Sequence, residues 1–278
     1  MRPDLLRRVA ELAADRESGA SEILEAAVAI LRDAIASGDE LAAVAAALCN
    51  AQPSMAPVLN ATRAARAPDG PERLDRFARR AARAPDALAR FAAGVLGIGQ
   101  PPGACIRIVT LSYSRSVLHV LDRLARERPV DVACAEGRPA YEGRRLAGRL
   151  ADAGIPVTFF TDAAIGQALT GADDVVVGAD AVTPEWFLNK SGTRALAAEA
   201  ARQGVGLWVI ASRDKFLDQG AGDRLPLREG APAEVWTTPP PGVTVRNPYF
   251  ERVPLTLVSA VISDVGVLQP ADLRKLDT

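Results

Sequence analysis

From residue 105 onward, short runs rich in valine and isoleucine alternate with amphipathic stretches of helical length. No other feature constrains the fold as tightly. Runs at 105–111 (CIRIVTL), 130–135, 156–160, 174–177 (DVVV) and 205–211 (VGLWVIA) read as strands. Helices are expected at 115–126, at 141–153, briefly after Asp162, at 192–203 and lastly at 254–262, and residues 218–244, rich in Gly and Pro, read mainly as loop. Strands spaced by such helices build βαβ units and a parallel sheet, and right-handed crossovers put helices on both faces. The expectation is an α/β chain with a Rossmann-like, doubly wound parallel sheet. Upstream the texture differs. Residues 21–35 place Ile23, Ala26, Ala27, Ile30, Leu31 and Ala34 at helical spacing, and 40–49 and 73–96 read the same way. The Gly- and Pro-crowded stretch 97–103 (GIGQPPG) marks the boundary. A helical N-terminal domain is therefore expected over 1–100, and the sheet domain over 104–278.

Bulk properties exclude several functions. The 278 residues carry 33 basic and 34 acidic side chains, a net charge of −1. That balance argues against a nucleic-acid or membrane-surface partner, which calls for a basic excess. Cys49, Cys105 and Cys134 fit no zinc spacing and no disulfide framework. They read as small apolar side chains in a reducing compartment. The first 20 residues form a charged amphipathic pattern rather than a signal peptide, and no apolar run reaches the roughly 18 residues that span a bilayer. Together these point to the cytoplasm. His119 is the single histidine. A histidine triad and a multi-histidine metal site are thus excluded, and His119, inside an expected helix, reads as structural. No GxGxxG follows the first strand and no GxxxxGK[ST] occurs, so dinucleotide redox chemistry and P-loop hydrolysis lack support. No metal or organic cofactor is expected.

In doubly wound sheets, ligands sit outside the carboxyl ends of the strands. Here those ends carry Thr110 to Arg115, Glu136 to Pro139, Thr161-Asp162, Gly178-Ala179-Asp180 followed by Asn189 to Thr193, and Ser212-Arg213 with Lys215 close behind. Several are cationic, and Ser114 and Thr193 stand where hydroxyls donate at helix starts. A hydroxyl, free backbone amides and the positive end of a helix suit a phosphate, and arginine adds a bidentate fork.

Taken in order, these segments resemble the family that unites the regulatory subunits of translation initiation factor 2B with 5-methylthioribose-1-phosphate isomerase and ribose-1,5-bisphosphate isomerase. Residues 17–22 (ESGASE) resemble the family's Ser-Gly-Ala segment before its first long helix, and 52–57 (QPSMAP) resemble its ARPSMAP stretch. Residues 110–115 (TLSYSR) resemble THSYSR, and 136–144 (EGRPAYEGR) resemble ESRP…EGR. The most specific match is Gly178-Ala179-Asp180 with 189–193 (NKSGT), similar to GAD…NKIGT. Residues 247–250 (NPYF) and 263–266 (SDVG) resemble the closing NPYF and TEEG.

The resemblance implies a sugar-phosphate site between a helical and a Rossmann-like domain, in a homodimer or larger homo-oligomer. It also implies an acid–base pair formed by a cysteine after the first strand and the Asp of GAD, which turns an aldose into a ketose. Asp180 takes the second position, against its plain reading as a turn or capping residue. Ser112 stands where the cysteine is expected, and a hydroxyl is a far weaker acid than a thiol. Gln52 likewise replaces an arginine. Substrate binding falls to Arg138, Asn189, Lys190 and Lys215, to Ser114 and Arg115, and to Arg144, although of Arg144 and Arg145 at least one is expected to be solvated. Ser18, Gly19 and Ala20 read equally as a backbone phosphate cradle or a helix start. For Trp186 and Phe187 core packing is the default. Three functions fit: a pentose-phosphate aldose–ketose isomerase, a non-catalytic subunit like those of factor 2B, and an isomerase relative in which another group replaces the thiol.

Overall fold

The structure is a computed structural model that describes residues 1–15, 18–227 and 229–275. Glu17 of the segment 17–22, and the last three residues of the expected sheet domain, lie outside the described residues.

Among the described residues, five helices open the chain: α1 (Pro3–Ala14), α2 (Ala20–Ser37), α3 (Leu41–Ala51), α4 (Ala56–Ala65) and α5 (Gly70–Ala93). Each presents an apolar stripe at helical spacing, such as Leu5, Val9 and Leu12 in α1. The stripes meet in one cluster around Leu5, Ile23, Leu31, Leu48 and Leu74. Helix α5 leaves that cluster along its length. Its later residues Leu88, Ala89 and Ala92 pack with Ile106 and Ile108 of the sheet. The segment after it is clamped rather than loose. Gly97 donates its amide to Asp174 Oδ2 at 2.7 Å. At φ 66° and with Ile106 Cδ1 only 2.5 Å from where a Cβ would stand, this position takes glycine.

The remaining elements are β1 (Ile106–Leu111), α6 (Arg115–Ala125), β2 (Val130–Ala135), α7 (Glu142–Asp152), β3 (Val157–Phe160), β4 (Asp174–Gly178), β5 (Ala181–Val182), β6 (Trp186–Lys190), α8 (Thr193–Gln203), β7 (Gly206–Ile210), α9 (Gln219–Asp223), β8 (Phe250–Pro254), β9 (Ala260–Ser263), β10 (Gly266–Leu268) and α10 (Pro270–Leu273). Seven strands form one sheet in the order β10-β9-β7-β4-β1-β2-β3, parallel except for the β9–β10 pair. Alternate side chains serve opposite faces: Ile106 and Ile108 meet α5, α6 and α7, while Val109, Leu111, Val175 and Val177 meet α8. With both faces covered, the α/β architecture expected from the alternation is the observed one.

Two expectations are corrected. Residues 254–262 are not a helix. Pro254 closes β8, a 3-10 turn spans Leu255–Leu257, and β9 follows. Ala260, Val261 and Ile262 register beside Trp208, Val209 and Ile210 in the buried sheet, where β-branched residues pack well and the apolar run reads alike for helix and strand. Asn189 and Lys190, expected beyond the carboxyl end of the fourth strand, lie in a strand that the alternation did not show. They end β6, which pairs antiparallel with β5 and β8 in a second, three-stranded sheet. Phe187 is fully buried there and Trp186 nearly so, as core packing requires. Among the described residues of 218–244, the regular elements are α9 and a 3-10 turn at Pro232–Glu234.

From β1 the chain moves outward to β2 and β3, then returns to the other side of β1 as β4. The order reverses between β1 and β4. A crevice opens at such a switch point, beyond the carboxyl ends of the two strands.

Candidate functional site

A cavity of about 500 Å³ occupies that position. One wall is the N-terminal end of α2 with Gln52 and Met55; the other comprises the ends of β1 and β4, the start of α7, the end of β6, and Lys215. The cavity brings together Ser18, Gly19, Ala20, Ser112, Ser114, Arg115, Asp180, Asn189, Lys190 and Lys215. Arg138 and Arg144 stand outside its lining. Both guanidinium groups lie over the Tyr141 ring, Arg138 at 5.0 Å and Arg144 at 3.8 Å from its centroid, and Arg138 also donates to the Tyr141 hydroxyl at 2.6 Å. Besides Arg115, the cavity is lined by Arg145, 4.1 Å above the Tyr113 ring and 3.4 Å from Glu22 Oε1.

Local geometry explains how the β1 end is presented. Ser112 has φ 63°, a left-handed conformation that costs a non-glycine residue energy and recurs at functional sites. Two residues on, Ser114 caps α6, its Oγ accepting from the Val117 amide at 3.3 Å. Gly178 leaves the space for it: a Cβ there would lie 2.7 Å from Ser114 Oγ. Across the cavity, Gly19 caps α2 and donates its amide to Glu22 Oε2 at 2.7 Å. The first-turn amides of α2 and α6 therefore face one space, and their positive helix ends favour an anion. Arg115 is engaged elsewhere, 3.0 Å from Glu25 Oε1.

At the base lies Asp180. Its backbone is fixed on both sides, the amide donating to Leu188 O at 2.8 Å and the carbonyl accepting from Ala56 at 3.3 Å. No hydrogen bond reaches its carboxylate among the described residues. Burial pushes its pKa above the ordinary carboxylate range; the charges of Lys215 and then Lys190 oppose this, and Glu142 adds to it. Lys190 is buried, its Nζ 2.6 Å from Glu142 Oε1 and 4.5 Å from the Tyr249 ring centroid. Lys215 is buried too and carries no ion pair among the described residues. Its turn is held by Asn60, which donates to the carbonyls of Asp214 at 2.8 Å and Phe216 at 2.9 Å. Asn189 Nδ2 donates to Thr193 Oγ1 at 3.0 Å, and Thr193 in turn donates to Lys190 O at 2.5 Å. Thr193 is thus committed inside the fold and is not the ligand donor its place at a helix start implied. Gln52 is buried and donates to Leu12 O at 2.6 Å.

Sequence reasoning left Arg145 undecided against Arg144, took Tyr113 only as part of a motif, and passed over Asn60 and the 229–234 loop, which also lines the cavity. Glu142 entered it only as part of a motif. Among the described residues no cluster of His, Cys, Asp and Glu is arranged to hold a metal, and no helix is long and apolar enough to cross a membrane.

Residues 9–270 match the initiation factor 2 subunit family. Over 173 residues the chain is 35% identical to the 5-deoxyribose 1-phosphate isomerase of Moorella thermoacetica, covering 59% of this chain and 49% of that protein. Over 204 residues it is 31% identical to the ribose 1,5-bisphosphate isomerase of Methanocaldococcus jannaschii, covering 72% and 64%. The chain thus spans about half to two thirds of the length of these relatives. A solved structure described as translation initiation factor eIF-2B of Pyrococcus horikoshii superposes with a TM-score of 0.82 at 25% identity, covering 98% of this chain and 99% of that one.

Proposed function

Because the chain belongs to the initiation factor 2 subunit family, we propose that its cavity binds a phosphorylated pentose and interconverts the aldose and ketose forms. The observation that carries this reading is Asp180: a partly buried carboxyl, free of hydrogen bonds among the described residues, that lines the cavity with two buried lysines at the switch point of the sheet. A carboxyl whose pKa is raised by burial holds its proton more tightly than an ordinary one and can give it up to a reacting oxygen. Lys215, Ser114 and the first-turn amides of α2 and α6 supply charge and donors for a phosphate. Asn189 and Lys190 sit between that anion site and Asp180 in function, orienting a sugar hydroxyl. Sugar-phosphate isomerases among the relatives make this the chemistry of choice.

Ser112 favours a second reading. Its hydroxyl is a poor proton carrier near neutral pH, and a subunit that senses a sugar phosphate without turning it over needs none. Under either reading the protein works in the cytosol as a homodimer or larger assembly, with the exposed Leu227, Val235, Trp236 and Val243 as apolar contact area.

Calorimetry with ribose 1,5-bisphosphate, 5-methylthioribose 1-phosphate and 5-deoxyribose 1-phosphate, followed by NMR of each mixture, separates the outcomes. Ketose formation supports the isomerase. Binding without conversion selects the sensing subunit. An absence of binding to every sugar phosphate overturns both.

A further inference from the structure

An aldose–ketose conversion needs two proton carriers, and Ser112 leaves one place empty. Glu142 is the first residue of α7. The helix start is pressed onto the end of β2, since a Cβ on Gly143 would stand 1.8 Å from Ala135 O. That contact holds Glu142 at the cavity. Its two oxygens differ. Oε1 receives Lys190 Nζ at 2.6 Å. Oε2 is buried and has no hydrogen-bond partner among the described residues, a state that costs a folded protein free energy. Such an atom fits a group that meets its partner only when ligand is bound.

We propose that Glu142 is the second proton carrier of the site, performing with a carboxylate what the Ser112 hydroxyl cannot. The inference rests on the isomerase reading above. Glu142 Oε1, 2.6 Å from Lys190 Nζ, leaves Oε2 free to meet a substrate C–H as a base. For a cyclic sugar 1-phosphate the steps balance without a co-reactant. Glu142 takes the proton from C2, the released electron pair forms the C1–C2 double bond, and the bond between C1 and the ring oxygen breaks as that oxygen takes the proton of Asp180. The C2 hydroxyl then returns a proton to Asp180 as the ketone forms, and Glu142 delivers its proton to C1. Both carboxyl groups finish as they began, and the phosphate stays on C1.

The test is Glu142→Gln, which keeps one oxygen for Lys190. Turnover and deuterium incorporation at C1 in heavy water are followed by NMR, with sugar-phosphate binding measured by calorimetry on the same sample. The expected result is a loss of turnover and of deuterium incorporation by about 100-fold or more, with affinity retained within a few fold. A merely structural Glu142 would lower binding and turnover together. Turnover by E142Q within about fivefold of wild type overturns the proposal. Wild-type protein that binds the sugar phosphates without converting them overturns the isomerase reading itself, and the wild-type control tells the two failures apart. Should E142Q not fold, Glu142→Asp keeps the charge and withdraws the oxygens by one methylene. A loss of at least about tenfold with binding retained then supports the assignment, and an unchanged rate overturns it.

Discussion

Lys190 Nζ and Glu142 Oε1 lie 2.6 Å apart although 48 positions separate the residues in the chain. The pair ties the last residue of β6, in the small sheet, to the first residue of α7, beside the large one. Lys190 is buried and Glu142 a quarter exposed, so removing either partner leaves the other without its counter-charge in a partly buried place. Lys190→Met is expected to destabilise the fold by on the order of 3 kcal/mol in urea unfolding. The double variant K190M/E142Q is expected to lose less than the sum of the two single variants. Strict additivity would mean that the contact contributes nothing.

Asp180 gives a pH signature. Its folded-state pKa is raised by burial, so the folded protein binds this proton more tightly than the unfolded chain does. Stability from this group is full below the ordinary carboxylate value and falls as pH rises through the window between the unfolded and the raised folded value. Asp180→Asn is therefore expected to melt at a higher temperature than wild type at pH 7. The gap should close as pH approaches the ordinary carboxylate range. An asparagine variant that melts lower at pH 7 would mean that Lys215 and Lys190 outweigh desolvation.

Lys215 is buried and without an ion pair among the described residues. A charge-assisted contact to phosphate contributes about 1.5–3 kcal/mol, and each 1.4 kcal/mol is tenfold in affinity. Lys215→Met is expected to weaken sugar-phosphate binding by roughly 10- to 100-fold in calorimetry, with an unchanged circular dichroism spectrum. Full affinity in that variant would place the phosphate elsewhere.

The three thiols differ in surroundings. Burial, and then the nearby Asp162 charge, pushes Cys134 up to about 12, whereas Cys105 is exposed. Thiolate is the reactive form. Labelling of the native protein with a thiol reagent at pH 8 is expected to modify Cys105 first and to reach Cys134 only on unfolding. Early modification of Cys134 would contradict its burial at the end of β2.

How far the sequence carried the fold depended on where pattern and partner coincide. The strands β1, β2, β4 and β7 lie inside a sheet covered on both faces, so their apolar runs stand out, and the switch between β1 and β4 put Ser112 and Asp180 at one cavity. Residues 254–262 lacked that clarity, because the register with β7 that makes β9 a strand is a long-range fact. The arginines at the start of α7 illustrate another limit. Arg144 and Arg145 differ by 100° around the helix, and the burial of Gly143, Leu146 and Leu150 sets which one turns to the cavity. Local sequence did not reveal that phase, and Arg145 was the one that lines the site. The 229–234 loop has no periodicity to read, so its place in the wall could come only from the folded chain.

Helix α5 belongs to two cores at once, and the glycine that follows it is fastened to Asp174. The helical half and the sheet half thus share a girder instead of a hinge. The two banks of the cavity are set by folding, before any ligand arrives. Binding free energy need not be spent on bringing them together, and the chain is expected to lose both halves in a single thermal transition.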